Sequence, residues 1–401
     1  MRYDKEPTVD VGIMETPEIE VETVGPERFR LKGVTIGIGF HWQQQRDLTF
    51  SGQLRLKHTS TGVVAINRVG VEEYLRSVIS SEMSAGASSE LLKAHAVISR
   101  SWLLSQIESR GAVRAGGNVC READGEIIRW WDREDHDLFD VCADDHCQRY
   151  QGVTNAYRPV VMEAVDATRG LVLTDGSGRL CDARFSKCCG GAMEEFGACW
   201  SGDEEHSYLQ AKRDSELSGL PDLTDEANAA EWIEGRPDAF CGRATERTLC
   251  QVLNDYDQAT RDFYRWSVTY TRAELSAIVA RRLSEVQLGE IVELRPLERG
   301  RSGRIVRLLV RGTLGEVVIG KELMIRRTLS ETHLYSSAFT VAAHPHDSSG
   351  HPAGFTLHGA GWGHGVGLCQ IGAAQMAAEG YGYRDILAHY FPGSQLTKIY
   401  S

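Results

Sequence analysis

Two histidines and two cysteines fall within one polar stretch of twelve residues, HDLFDVCADDHC. They are His136, Cys142, His146 and Cys147. Two imidazoles and two thiolates form the tetrahedral donor set that zinc prefers, and four protein ligands leave no open position for a reacting water. We therefore expect a structural zinc ion that pins this loop. The alternative is a disulfide between Cys142 and Cys147 beside two surface histidines, because the spacing is not that of a common zinc finger.

A single carboxylate stands where two helical patterns meet, in SSEMSAGASSELLKAHAVISRSW. Apolar residues from Val71 to Met83 recur at three- and four-residue spacing, which predicts a helix with one buried face. Ser88 and Ser89 can cap the helix that follows. Glu82 therefore lies at a helix end, beside a turn of small residues. The local pattern alone is typical of a solvated or cap-bonded side chain.

A glycine-rich segment near the C-terminus, GAGWGHGVGLCQIGAAQMA, holds six glycines between Gly359 and Gly372. Glycine allows a close backbone approach, so the segment can present His364 and Gln370 to a ligand. The alternative is a packed turn in which His364 is structural. The segment has no Gly-Lys-Ser/Thr ending and opens no strand-to-helix dinucleotide motif, so we expect no nucleotide and no organic cofactor.

The ten cysteines are too dilute for a disulfide scaffold, and their clustering fits a few bridges or a metal site. The vicinal pair Cys188 and Cys189 in FSKCCGG invites a redox or nucleophilic interpretation, but no paired C-x-x-C accompanies it. The pairing of the remaining cysteines stays open. These are Cys181, Cys188, Cys189, Cys199, Cys241 and Cys250.

Strand-like and helical patterns mix without a regular alternation, which predicts an α+β protein with a strand-rich core, a helix pair and a smaller strand-rich lobe. We expect a strand-rich lead-in over 1–65 and a core over 66–209 that contains the polar loop of 109–150. A smaller α+β lobe over 210–335 follows. Residues 336–401 would return the glycine-rich segment and a last helix to the core.

The chain of 401 residues carries 56 acidic and 44 basic side chains, a net charge of -12. Without a segregated basic patch, that balance disfavours nucleic acid and anionic membrane surfaces. No run approaches the roughly 18 apolar residues that cross a bilayer. The start, MRYDKEPTVDV, lacks the apolar core of a signal peptide, so we expect either a cytoplasmic protein or an exported one whose signal or anchor is not in this sequence.

Six motifs follow one another from about residue 65 to the C-terminus, namely VEEYLRSVISSEMSAGASSELLKAHAVISRSW, CQRYQGV, FSKCCGG, YRWSVTYTRAEL, GRSGRIVRLLV and GWGHGVGLCQIGAAQMAAEGYGYRDILAHYFPG. The motifs and their order resemble those of the stage II sporulation protein D family (SpoIID/LytB domain). The resemblance implies a peptidoglycan lytic transglycosylase whose catalytic acid is that of the SSEM motif, Glu82. Some members carry a similar two-His, two-Cys zinc loop.

The resemblance also implies candidate substrate contacts, namely Lys93, Arg100, Tyr150, Ser186, His364 and Gln370. Two departures put the detailed sugar contacts in doubt. Cys369 stands where the family commonly has a serine. Lys187, Cys188 and Cys189 replace a run rich in serine and threonine.

The implied reaction cleaves glycan strands between MurNAc and GlcNAc and leaves 1,6-anhydroMurNAc ends, with one carboxylate acting first as acid and then as base. A non-catalytic wall-binding or amidase-enhancing module, with a cell-wall amidase as partner, is one alternative. A zinc amidase centred on the His/Cys cluster is another. Because peptidoglycan lies outside the inner membrane, the resemblance implies an exported protein, periplasmic or facing the cell wall.

Overall fold

The computed structural model describes residues 3–38, 43–84, 86–109, 119–123, 125–131, 136–144, 146–153, 158–200, 206–252 and 261–401. The strands are β1 (Thr8–Thr16), β2 (Val21–Gly25), β3 (Arg28–Ile36), β4 (Gln44–Ser51), β5 (Gln53–His58), β6 (Val63–Gly70), β7 (Val119–Ala123), β8 (Glu126–Trp130), β9 (Val141–Cys142), β10 (Leu171–Thr174), β11 (Phe185–Ser186), β12 (Ala192–Met193), β13 (Lys212–Arg213), β14 (Arg265–Thr271), β15 (Ile291–Arg299), β16 (Ile305–Gly312), β17 (Glu316–Gly320), β18 (Phe339–Ala343), β19 (Gly354–Ala360), β20 (Leu368–Cys369) and β21 (Gln395–Lys398). The helices are α1 (Val71–Glu82), α2 (Ser89–Glu108), α3 (Pro159–Ala167), α4 (Phe196–Cys199), α5 (Glu226–Glu234), α6 (Glu246–Val252), α7 (Arg272–Arg282), α8 (Glu322–Thr328), α9 (Gln370–Ala378) and α10 (Tyr383–Tyr390). This mixture confirms the predicted α+β class.

The N-terminal strands form a four-stranded sheet in the order β5-β6-β1-β9 and a three-stranded sheet, β2-β3-β4. The short strand β9 runs parallel to β1 and pairs Cys142 with Gly12, so the stretch that carries the predicted metal ligands is attached to a sheet edge. A Cβ atom on Gly12 would lie 2.4 Å from the ring of Phe139, which explains the glycine. Pairing with β1 thus fixes the position of this stretch.

The two helices predicted around the break are present. Helix α1 buries Tyr74, Leu75 and Val78 along one face, as its spacing indicates. The side chain of Ser88 accepts the Leu91 amide and caps α2. Helix α2 is buried on most of its surface because α1, α3, α10 and β10 pack around it.

A buried ion pair joins the two helices. The Arg100 guanidinium donates to both carboxylate oxygens of Glu72, at 3.0 and 2.6 Å, and neither residue is more than 2% exposed. The Gly170 amide and the Tyr400 hydroxyl also donate to Glu72, at 3.1 and 2.5 Å. One carboxylate therefore holds together α1, α2, the turn before β10 and the C-terminus.

A second hydrophobic core lies in a five-stranded sheet of order β15-β16-β17-β8-β7, together with the sheet β14-β19-β18 and helices α7 and α8. The hairpin β7–β8 falls inside the stretch expected to be a long loop. It joins this sheet because β8 pairs in parallel with β17 and buries Ile127 in the second core. The second core also reaches Leu357, past the expected lobe boundary at 335. The division into domains stays a prediction.

The glycine-rich segment returns to the first core. Its strand β20 pairs in parallel with β11, and α9 and α10 pack on α2. Strand β21 pairs with β10. Within the described residues, no helix combines the length and apolar character needed to cross a membrane.

We expect Arg100→Met to lower the free energy of unfolding by about 3–5 kcal/mol, because it leaves the Glu72 carboxylate buried without its charge partner. Urea unfolding measures the effect. The matched control on the same helix is Lys93→Met, which removes a partly exposed ion pair with Glu90 and should cost at most about 1 kcal/mol. Equal costs for the two variants would contradict the structural role of Arg100.

Candidate functional site

The Glu82 carboxylate lies at the C-terminal end of α1 and is 8% exposed. Its Oε1 atom accepts a hydrogen bond from the backbone amide of Arg149 at 3.2 Å. The turn after Glu82 is fixed to helix α6, where the backbone carbonyl and the side chain of Gln251 accept the Ser84 and Ser88 amides, both at 3.2 Å. The helix break therefore holds one carboxylate in a defined position.

The four predicted metal ligands come together. Donor atoms of His136, Cys142, His146 and Cys147 all lie within 4.8 Å of one another. The Cys147 sulfur is 3.5 Å from Nε2 of His136 and 3.4 Å from Nδ1 of His146. A hydrogen bond with Cys147, with smaller contributions from the two imidazoles, lowers the pKa of the Cys142 thiol to about 2. These four side chains suit a tetrahedrally coordinated metal ion, because thiolates and imidazoles are the donors that such sites use.

The segment that carries the four predicted metal ligands leads directly to the Glu82 carboxylate. Arg149, whose amide holds Glu82, follows the ligand Cys147 by two residues. Between them, the Gln148 side chain accepts the Tyr74 hydroxyl of α1 at 3.2 Å. A metal ion in the loop would thus fix the backbone that positions Glu82.

Two predicted sugar contacts, Tyr150 and Arg100, lie in the core. The Tyr150 ring stacks between Tyr74 and Phe50, and its hydroxyl donates to Asn67 at 2.6 Å. Tyr150 is 2% exposed and Arg100 is fully buried. Both residues were predicted to contact sugar because of their positions in the motifs. In the fold, their polar atoms form hydrogen bonds within the core and face no solvent.

A chain of buried polar contacts runs across α2, from Gln148 beside the predicted metal ligands to Gln370 in the glycine-rich segment. Gln148 donates to the Ser99 carbonyl at 3.4 Å, and the Ser99 hydroxyl lies 3.1 Å from Nδ1 of His95. Nε2 of His95 lies 3.4 Å from the amide nitrogen of Gln370, which is 2% exposed. Burial, with the nearby Lys187 charge, lowers the pKa of His95 to about 3. The signal for this network in the sequence is a histidine between two alanines on a buried helix face.

Three other predicted contacts have different surroundings in the fold. Ser186 pairs with Cys369 across β11 and β20, and among the described residues its buried hydroxyl has no hydrogen-bond partner. The half-buried His364 ring packs against Trp200, 4.9 Å away, and burial holds its pKa well below the usual value. Lys93 stays at the surface of α2, paired with Glu90 at 2.6 Å.

Backbone contacts nevertheless bring three motifs to one place. Helix α6 ends at Val252, whose carbonyl accepts the Lys187 ammonium at 3.4 Å, next to the Gln251 that holds the turn after Glu82. The Lys187 carbonyl in turn accepts the Ile371 amide at 3.1 Å. The helix break, the FSKCCGG segment and the glycine-rich segment therefore meet around the end of α6. The sequence carried no signal for Gln251.

The sequence profile of the stage II sporulation protein family matches residues 59–174, which include α1, α2 and the four predicted metal ligands. Residues 59–174 therefore carry the domain of the stage II sporulation protein family that the motifs resemble. A domain of unknown function, DUF8618, matches residues 194–367. Glu82 and the four predicted metal ligands lie inside the sporulation protein match, whereas Ser186, His364 and Gln370 lie beyond it.

Curated relatives agree with this assignment. The stage II sporulation protein D of Bacillus subtilis (strain 168) is 23% identical over 83% of this chain and 76% of its own length, and that of Bacillus amyloliquefaciens is 22% identical over the same shares. The amidase enhancer of Bacillus subtilis (strain 168) is 23% identical over 59% of this chain, and the match spans only 32% of that relative.

The lowered pKa of His95 predicts a pH dependence of stability in this protein. The unfolded histidine takes up a proton below about pH 6.5, whereas the folded one stays neutral down to about pH 3, so stability falls as the pH falls between these values. We expect the slope to exceed that of His95→Gln by roughly 1.4 kcal/mol per pH unit. Urea unfolding at several pH values measures it. The exposed control, His58→Gln, should keep the full slope, and parallel curves for His95→Gln and the unaltered protein would refute a neutral buried imidazole.

Proposed function

We propose that the protein is a peptidoglycan lytic transglycosylase that cleaves glycan strands, with Glu82 as its catalytic residue. The placement of Glu82 carries the proposal. This carboxylate ends α1 within the stage II sporulation protein family match, and the Arg149 amide orients its Oε1 atom. The second oxygen, Oε2, would then carry the proton that is transferred.

The reaction suits one carboxylate that changes role. Glu82 would protonate the glycosidic oxygen between MurNAc and GlcNAc, so that the bond breaks through an oxocarbenium-like state. The resulting carboxylate would take the proton of the sugar's own 6-hydroxyl, whose oxygen closes on the anomeric carbon. Hydrolysis would instead usually require a second acid across the bond. The products would be a free GlcNAc end and a 1,6-anhydroMurNAc end.

The proposed substrate contacts are Lys93, Ser186, His364 and Gln370. Ser186 contributes a hydroxyl that has no partner within the described fold, and Lys93 contributes a surface charge that could meet acidic groups of the wall. Gln370 is joined to the region of Glu82 through His95 and Gln148. Because their polar atoms are occupied in the core, Arg100 and Tyr150 position the helices instead.

We also propose zinc as the ion held by His136, Cys142, His146 and Cys147. When bound, it would supply a cross-link that orders the loop leading to Arg149. The four protein donors would fill a tetrahedral shell, which disfavours a zinc amidase because no position would remain for a reacting water.

An amidase-enhancing module is the second candidate function, and the amidase enhancer among the relatives favours it. Such a protein would bind peptidoglycan and a cell-wall amidase without cleaving glycan itself. Either function requires a substrate outside the cytoplasmic membrane, so we propose an exported protein.

Glu82→Gln keeps the size and one hydrogen-bonding oxygen but removes the transferable proton. We expect a near-unchanged melting temperature and at least about a 100-fold loss of glycan cleavage. Mass spectrometry of products from defined strands, with and without stem peptides, should show 1,6-anhydro ends for the unaltered protein. The control Glu163→Gln, at an exposed position of α3, should keep full activity.

Reducing-end products would mean hydrolysis, and a fully active Glu82→Gln variant would make the carboxylate structural. If the unaltered protein cleaves no glycan and Glu82→Gln still stimulates a cell-wall amidase in full, the module is the function.

Cys142→Ser removes one of the four loop ligands. We expect elemental analysis to show one zinc fewer per chain, together with a lower melting temperature, because a closed site contributes folding free energy. The exposed control Cys250→Ser should retain its zinc. An unchanged zinc content, with Cys142 and Cys147 found bridged in the unaltered protein, would establish the disulfide instead.

A further inference from the structure

A second cluster of metal-binding side chains lies in the first core and shares no residue with the loop. Its members are Cys189, Asp214, Cys241 and Cys369, whose donor atoms all lie within 4.8 Å of one another. None of the four is more than 3% exposed. We propose that these residues hold a second metal ion, a thiophilic divalent cation of the zinc class, in a tetrahedral site with three sulfur donors and one oxygen donor.

The donor spacing fits a single tetrahedral ion. Zinc-sulfur bonds of about 2.3 Å at tetrahedral angles place two sulfurs about 3.8 Å apart, and a sulfur and an oxygen about 3.6 Å apart. Here the sulfurs of Cys189 and Cys241 are 3.6 Å apart, and the Cys189 sulfur is 3.3 Å from Oδ2 of Asp214. A disulfide would need its sulfurs at about 2.05 Å. The side chains therefore surround a point rather than form a bridge.

The backbone donates hydrogen bonds to the cluster as it would to metal-bound thiolates. The amides of Cys189 and Gly372 donate to the Cys369 sulfur at 3.2 and 3.3 Å. Cys369 is also the N-cap of α9, where the helix dipole favours negative charge. Such outer contacts orient ligands and stabilise their anionic form.

Asp214 supplies the strongest argument for a cation. It is fully buried, with Oδ2 toward the sulfurs and Oδ1 accepting the Tyr390 hydroxyl at 2.8 Å. Within the described parts of the chain, its one ion-pair neighbour is His389, 3.4 Å away. The nearby Lys212 ammonium instead contacts Nδ1 of that imidazole at 3.2 Å. A buried carboxylate among thiols needs positive charge, and a divalent ion would provide it.

Space at the site depends on a glycine. A Cβ atom on Gly372 would lie 2.7 Å from Oδ2 of Asp214 and 2.3 Å from the Tyr390 hydroxyl. The absence of a side chain there lets the carboxylate approach the start of α9. Gly372 thus leaves the room that the cluster requires.

The four ligands come from four separate segments. Cys189 and Cys369 flank the DUF8618 match of 194–367, whereas Asp214 and Cys241 lie within it. The ion would therefore tie the base of that region to the glycine-rich segment. Because Gln370 follows Cys369 directly, the same tie would fix the end of the polar network that reaches His95.

The test counts metal ions in protein whose loop site is disabled. In the Cys142→Ser background, we expect native mass spectrometry and elemental analysis to find one zinc per chain. Adding Cys241→Ser or Asp214→Asn should remove it. Adding Cys181→Ser, a buried thiol outside the cluster, should leave it in place. Zinc that persists after both ligand changes would overturn the proposal.

A second measurement needs no further variant, in case Cys241→Ser does not fold. Cobalt loaded into Cys142→Ser protein should give the intense visible absorption of a tetrahedral thiolate site. Alkylation of the unaltered protein under denaturing conditions, without reductant, should find Cys189 and Cys241 as free thiols. A bridge between them, the absorption of an iron-sulfur cluster, or cobalt bands that are missing would each refute the proposed ion.

Discussion

The buried ion pair between Glu72 and Arg100 is the constraint on which the arrangement of the site depends. Buried charge pairs add little net stability, because desolvation offsets their attraction, but they tolerate few geometries. Here the Glu72 carboxylate satisfies donors from α2, from Gly170 and from Tyr400 at once. The direction of α1 is thereby fixed ten residues before Glu82.

That constraint passes outward through polar contacts. At the far end of α1, the Arg149 amide holds Glu82, and the neighbouring Gln148 links the same segment to α2. His95 then carries the connection to Gln370 in the glycine-rich segment. Each step uses a side chain that is buried and hydrogen-bonded, so a displacement at one end would leave a polar group unsatisfied. The helix pair and the C-terminal segment are therefore positioned together.

Local signals predicted the fold class, the helix pair, the cap at Ser88 and the convergence of the loop ligands. Each depends on residue types a few positions apart. The sequence could not predict that Arg100 and Tyr150 lie in the core. Helix α2 is packed on most of its surface, so its pattern offered no polar face on which to judge Arg100. The pairing of β8 with β17 joins segments almost 200 residues apart, and local periodicity carries no such information.

The residues that depart from the motifs of the resembled family lie close together in the fold. Cys369 replaces a commonly occurring serine, and Cys188 and Cys189 replace part of a hydroxyl-rich run. In the fold, β20 lies beside β11, which brings Cys369 against Cys189, while Cys241 and Asp214 reach the same point from the DUF8618 region. A single buried cysteine is usually a small apolar side chain. Three thiols around a carboxylate, in contrast, provide the donors for a metal ion. The cysteines that stand in place of hydroxyl-bearing residues thus meet at one point of the fold, where the proposed second ion would join Cys189 and Cys369 to Asp214 and Cys241 of the DUF8618 region.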